Sequence, residues 1–316
     1  MKPSIAIADG EIIDAPGVYD VGIDWYHDQL CSGPSISSSG LRRVFRSPAH
    51  FWLESELNPS RVAPAEPQHF SLGRAAHHLL LGEGEFSKHF VVRPSKWDSW
   101  RTNDAKAWRD EAQASGLTVL TPDDIEAVRG MAGLLPWQAG MENCGLLNAP
   151  EFVRNALGGQ IEKSLIWKDE GTGIWLKSRP DAIPTDSGIF VDLKTTTAVD
   201  DHSLANTVLD YGYHVQAALA GMAADKVLGL EMTDFAFVFI EKKPPYSVSI
   251  KTLSEDDIIR GEHQVFAAIR IFARCLETGV WPGPTAGQAD AQRLSLPDWG
   301  RKAIDARLEQ LEREYQ

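Results

Sequence analysis

The sequence predicts an α+β (mixed α/β) fold, with one central, largely antiparallel or mixed sheet flanked by helices and a helical N-terminal part. Three observations predict it. Helix signals dominate from about residue 36 to residue 157. From Gly158 the chain turns rich in β-branched and aromatic residues, punctuated by the turn signals "DEGTG" and "TDSG". After one more helical stretch, the short apolar run "FAFVFI" (Phe235 to Ile240) reads as a buried strand, and a long capped helix follows.

Residues 1–35 read as an extended or loosely folded segment. Ser38 or Ser39 caps a first helix, and a second starts after Ser47 with Pro48 at its first position. The stretch from Pro67 to Gly82 is a helix with the stripe Phe70, Ala76, Leu80. A polar, tryptophan-bearing stretch follows. Then comes a helix capped by Thr121, with Pro122 next and Asp123 and Asp124 in its positive first turn. Three antiparallel strands fill "GQIEKSLIWKDEGTGIWLKSRPDAIPTDSGIFVDLKTTT". A helix runs from about Ser203 to Leu228, and two strands joined at "KPP" come after it. Ser254 caps the long helix that reaches Gly279, and a charged C-terminal helix closes the chain. The domain division is an extended segment 1–35 and a single domain 36–316, made of a helical part (36–157), a sheet core (158–280) and a loop with a terminal helix (281–316).

Composition narrows the function. Hydrophobic residues make up 43% of 316 positions, enough for a buried core. No apolar run approaches the roughly 20 residues that span a bilayer. The opening residues have no basic stretch before a long apolar one, which predicts no secretory leader. Cys31, Cys144 and Cys275 form no CxxC and no paired framework, as for reduced thiols in a cytoplasm. A net charge of −13 speaks against nucleic-acid binding through bulk charge, though not against a local basic track around an acidic site.

The densest chemistry lies in "RPDAIPTDSGIFVDLKTTT". A turn centred between Asp186 and Ser187 sets Asp181 directly opposite Asp192, with β-carbons about 4.5–5.5 Å apart. Lys194 shares the face of Asp192, and Leu193 points the other way into the core. Opposed like charges destabilise a sheet unless something compensates. A hard divalent cation does so, and so, in part, does Lys194 alone on a solvated face. Thr195 to Thr197 read first as β-forming residues. Lys177 and Arg179 alternate onto the face of Asp181 and are phosphate-contact candidates. Arg42, Arg43 and Arg46 are either a DNA-backbone contact or a solvated helix face.

Pro180-Asp181 followed by Asp192-Leu193-Lys194 resembles the motif of the PD-(D/E)xK nuclease superfamily. "GRAAHHLLL", through Gly73 and His77, resembles the Gly-x-x-x-His helix of its RecB-like branch. "YHVQAAL", through Tyr213 and Gln216, resembles the helix after that branch's core strands, although Ala220 stands where the branch commonly has an aromatic. "SISSSGLRRVFRSPAHFW" resembles the opening of prophage exodeoxyribonuclease VIII (RecE-type) proteins. The resemblance covers roughly residues 20–280 and implies a restriction-endonuclease-like core. It also implies Mg²⁺-dependent, or Mn²⁺-dependent, 5′→3′ degradation of one strand of linear duplex DNA. The 3′ overhang left would serve recombination through a single-strand annealing protein, and a homo-oligomer would enclose the duplex. On that resemblance, His77, Asp181, Asp192 and the Leu193 carbonyl hold the metal, and Lys194 orients water or offsets charge. Glu162, on the first strand, reaches the metal through water or is a surface residue. Gln216 bonds the site lysine or a DNA phosphate, and Tyr213 contacts DNA or lines the core. The alternatives are an inactive nuclease-fold DNA-binding module and a PD-(D/E)xK endonuclease.

Overall fold

The computed structural model describes residues 2–62, 68–81, 86–132, 159–184, 188–285, 291 and 293–315. The chain opens with β1 (Ile5–Ala6), β2 (Gly17–Asp20), the short helix α1 (Ile23–His27) and β3 (Ser35–Ser37). These strands enter a sheet, so the expectation of a loose segment over residues 1–35 is corrected. Ile13, Tyr19, Tyr26, Leu30 and Cys31 give this part a small core of its own with Ile166 and Trp175. Helices α2 (Ser38–Arg46) and α3 (Pro48–Glu54) follow, and the Ser47 hydroxyl caps α3 by accepting the His50 N–H.

Next come α4 (Gln68–Leu81), β4 (Phe90–Val92), α5 (Asn103–Ala114), β5 (Thr118–Leu120) and α6 (Pro122–Ala132). In the α4 stripe Ala76 is buried, while the side chains of Phe70 and Leu80 lie outside the described residues, as does Cys144. Thr121 and Asp124 cap α6 reciprocally: the hydroxyl accepts the Asp124 N–H, and the carboxylate accepts the Thr121 N–H.

The strand-rich block holds β6 (Gln160–Ile161), β7 (Ser164–Lys168), β8 (Trp175–Ser178), β9 (Ala182–Ile183) and β10 (Ile189–Thr196). Beyond it the expected single helix is broken in two, α7 (Asp201–Tyr211) and α8 (Tyr213–Ala223). Gly212 makes the break at φ +59, a conformation that costs a glycine little. A wider π-helical turn, Ala224–Leu228, continues α8. β11 (Asp234–Glu241), β12 (Val248–Thr252), α9 (Glu255–Thr278) and α10 (Asp298–Glu314) complete the chain. Ser254 caps α9 as expected, accepting the Asp257 N–H. α10 buries none of its residues.

Among the described residues two five-stranded sheets form, in the orders β1-β2-β7-β8-β3 and β12-β11-β10-β9-β6, with a two-stranded pair β4-β5. The mixed α/β class stands, but the single central sheet is corrected to two. The physical reason is partner choice: the β7–β8 hairpin pairs with β2 and β3 near the N-terminus rather than with β9. Alternation within a strand says which face is buried, not which strand lies alongside.

β10 and β11 run parallel at the centre of the second sheet, and both faces of β11 are covered. Phe235, Phe237 and Phe239 point to the larger core, shared with α2, α8 and α9. Ala236, Val238 and Ile240 point to a second core, with Ala75 and Ala76 of α4 and Val128 and Met131 of α6. Each buried phenylalanine contributes roughly 1.5–3 kcal/mol over an exposed one, and Phe237→Ala would cost about 3–5 kcal/mol. This doubly covered pair is the rigid base from which the β10 charges project.

Candidate active site

The turn at Asp186–Ser187 lies outside the described residues, but the register around it is as the sequence predicts, with Ala182 paired to Val191. Asp181 therefore stands just before β9, next to Asp192 in β10. Both carboxylates are buried, Asp192 completely. Asp181 Oδ2 accepts the Leu193 N–H at 2.6 Å. Leu193 itself sits in the core.

His77 projects from α4 with Nδ1 3.6 Å from Asp181 Oδ2. Its neighbour His78 turns instead to Phe86, His89 and Phe90. Gly73 lies one turn before His77, where α4 meets β10: a Cβ there would make an ordinary contact, 3.4 Å from Thr195 Oγ1. Glu162 is not on a strand. It follows β6 at φ +52, held by its N–H to the Asp181 carbonyl at 2.9 Å and by Arg179 Nε–H to its Oε2 at 2.7 Å. The sequence pattern placed it in the strand because nothing local records the bond to Asp181.

His77, Glu162 and Asp181 each offer one ligand atom within 4.8 Å of the others. Burial, then the nearby Asp192 charge, pushes the Asp181 carboxyl well above its ordinary range. Burial, then Lys194, holds the His77 imidazole below its ordinary value, so its lone pair is free at neutral pH. One buried and one half-buried carboxylate with a neutral imidazole fit a divalent cation, which would relieve the repulsion at Asp181. Asp192 stands outside this trio. Its Oδ1 accepts the Gln216 amide at 2.6 Å, and its Oδ2 pairs with Lys194. Gln216 thus holds the aspartate, where the sequence suggested the site lysine or a DNA phosphate. Burial would lower the Lys194 ammonium, but Asp192 and Asp181 together outweigh it and hold it above its ordinary value. The ammonium lies 5.1 Å from the Tyr213 ring, which stacks on Phe237.

Two cavities meet here. The smaller, about 240 Å³, is lined by Glu162, Asp181, Asp192, Lys194 and Gln216. The larger, about 1270 Å³, includes His77, Lys194, Thr195 to Thr197 and Tyr213. Glu162, Arg179 and Lys194 line both. His27 does too, and Ser37 to Ser39 line the smaller; the sequence analysis missed these wall positions. Their signal is absent locally, because the N-terminal sheet alone brings them in.

The basic candidates divide. Lys177 is 3% exposed, and its Nζ donates to the Tyr26 and Asp28 carbonyls, both at 2.7 Å. It is a structural tie and not a phosphate contact. Alternation fails to carry it onto the Asp181 face because β8 ends at Ser178 and β9 belongs to the other sheet. Arg179 faces the site but bonds Glu162 and the Val21 carbonyl. Arg42 packs against Gly212, Arg43 pairs with Glu54 on α3, and Arg46 is exposed.

Among the described residues no helix is long and apolar enough to cross a membrane. No curated protein matches the chain. The crystal structure of a "putative exonuclease" from Eubacterium rectale superposes with a TM-score of 0.52 at 14% identity, covering 83% of this chain and 91% of that one. An alkaline exonuclease from Laribacter hongkongensis aligns over 65% of this chain and 97% of its own at 13% identity, with a TM-score of 0.21 that bears no weight. The first of these shows a shared fold. Residues 37–295, which carry His77, Glu162, Asp181, Asp192 and Lys194, match the model of a PDDEXK-like domain of unknown function, DUF3799, and the chain belongs to that family.

Proposed function

We propose that the protein is a metal-dependent exodeoxyribonuclease that degrades the 5′-ended strand of linear duplex DNA and leaves 3′ overhangs. The observation that carries the hydrolase reading is the convergence of His77, Glu162 and Asp181 within 4.8 Å, beside the Lys194–Asp192 pair on one cavity wall. His77, Glu162 and Asp181 would hold Mg²⁺ or Mn²⁺, both of which take carboxylate oxygens. When bound, the ion supplies polarisation of a phosphate and a water of lowered pKa.

The chain's own groups do the rest. Lys194, kept charged by its carboxylates, offsets charge that develops on the phosphate. Gln216 fixes Asp192, and Asp192 fixes Lys194. The Leu193 N–H fixes Asp181, and Arg179 fixes Glu162. Each charged group is thus oriented before substrate arrives. Exonucleolytic polarity, a homo-oligomer around the duplex and a single-strand annealing partner rest on the RecE-type order of motifs, which supports this reading over an endonuclease.

The test incubates the protein with linear and with covalently closed circular duplex DNA, with Mg²⁺ and with a chelator, beside Lys194→Ala. Metal-dependent loss of linear DNA alone, absent in the variant, is the expected result. Digestion of both forms would replace the exonuclease with an endonuclease at the same site. Binding without digestion would leave an inactive DNA-binding module.

A further inference from the structure

The larger cavity runs past the metal-ligand trio to the end of β10, where chemistry that the hydrolysis does not use collects. Lys242 lines it with Thr195, Thr196, Thr197, Thr207 and Tyr211. The Lys242 N–H donates to the Thr196 carbonyl at 3.0 Å, and continuing the β10–β11 register sets Thr197 beside Lys242.

Lys242 is half-buried, and among the described residues no carboxylate pairs with it. The other lysines on this cavity differ: Lys163 pairs with Asp20 and Lys194 with Asp192. Even the carboxylate of the preceding residue, Glu241, is turned away to accept the Ser247 N–H. Burial alone holds the Lys242 ammonium below its ordinary value, with no charge restoring it. Lysines are seldom desolvated without a partner, so the counter-charge is to be sought in a ligand. Thr197 adds an exposed hydroxyl at the same place. Tyr211, stacked on Tyr213 at 5.8 Å and half exposed, presents a free aromatic face above.

We infer that Lys242, with the Thr197 hydroxyl, binds a backbone phosphate of the same nucleic-acid strand that Lys194 meets at the scissile bond. This rests on the nuclease reading of the site. Thr197, just past the end of β10, lies three positions beyond Lys194, about 10 Å along the strand direction. That places the second phosphate within about three nucleotides of the first at a rise of about 3.4 Å each. Tyr211 then stands where a base adjoining that phosphate would stack. Lys242 is a positioning residue: it aligns the strand and takes no part in bond breaking.

The test measures binding of the full-length protein to a fluorescent duplex with a single-stranded end, in chelator, across a salt series. The variants are Lys242→Gln, Lys242→Arg and a control, Lys302→Gln on the exposed helix α10. Lys242→Gln is expected to weaken binding about fivefold at low salt and to reduce the log–log salt slope by about 1. In Mg²⁺ the same variant should raise KM for DNA and leave kcat within about twofold, as for lost uniform binding. Lys242→Arg should restore both, and Lys302→Gln should change neither. An unchanged slope in Lys242→Gln, or an equal fall in Lys302→Gln, overturns the inference while a binding and cutting wild type keeps the nuclease reading. A wild type that neither binds nor cuts DNA overturns both.

Discussion

The two five-stranded sheets each desolvate one lysine, and the two lysines are opposites. Lys177 in β8 donates to two backbone carbonyls beside the Tyr26 ring, and burial brings its ammonium down to about 8. Lys194 in β10 meets Asp192 and Asp181, and its ammonium is held above its ordinary value despite burial. Both cations lie on strands of similar sequence texture. The difference is the partner: carbonyls anchor α1 and the loop after it to the first sheet, whereas carboxylates keep a charge ready in the second. Desolvation against backbone carbonyls marks a structural tie, and desolvation against paired carboxylates marks chemistry.

The comparison breaks first on activity. Lys194→Ala should lower turnover of linear duplex DNA by about 10³-fold, and Lys177→Met should leave the folded protein within about threefold of wild type. Equal losses would erase the distinction.

A second handle is pH. The folded Lys177 binds its proton more weakly than the unfolded chain, so this position costs stability below pH 8 and the cost fades as pH rises toward 10. Chemical unfolding from pH 8 to 10 should show wild type gaining about 2 kcal/mol relative to Lys177→Met. A constant difference would mean that the amine is not desolvated.

Metal supplies the third. At about a hundred times its dissociation constant, added Mn²⁺ should stabilise wild type by about 2.7 kcal/mol in thermal unfolding, and a chelator should reverse the gain. Asp181→Asn should abolish the response, since it removes a ligand of the trio. Retention of the full response would place the ion elsewhere.

The smallest effect concerns support for the lysine's partner. Gln216→Leu removes the amide that fixes Asp192 and should reduce turnover about tenfold with little change in KM. A KM effect alone would instead assign Gln216 to substrate contact.

Local patterns were readable where local forces decide. The caps at Thr121 and Ser254 depend on bonds within three residues and hold, whereas the cap expected at Ser38 or Ser39 falls at Ser37, whose side chain makes no cap bond. The Ala182–Val191 register follows from one turn and strict alternation. Gly73 selects His77 over His78 because helix spacing is fixed. What stayed hidden depends on distant pairing. β2 joins β7, roughly 150 residues on, so the N-terminal sheet left no local trace. Lys177 looked like a phosphate contact because its two carbonyl partners also lie roughly 150 residues away. Glu162 kept a strand-like pattern while its backbone answered to Asp181.

Glu162 has one more consequence. It links β6 of one sheet to β7 of the other, and Arg179 to Asp181 make the return passage from β8 to β9. The candidate ligands Glu162 and Asp181 therefore sit on the two seams where the chain changes sheets. A cation held by both would act as a rivet, fastening one half of the molecule to the other. Amide hydrogen exchange along β6 and β9 should then slow when Mn²⁺ is added.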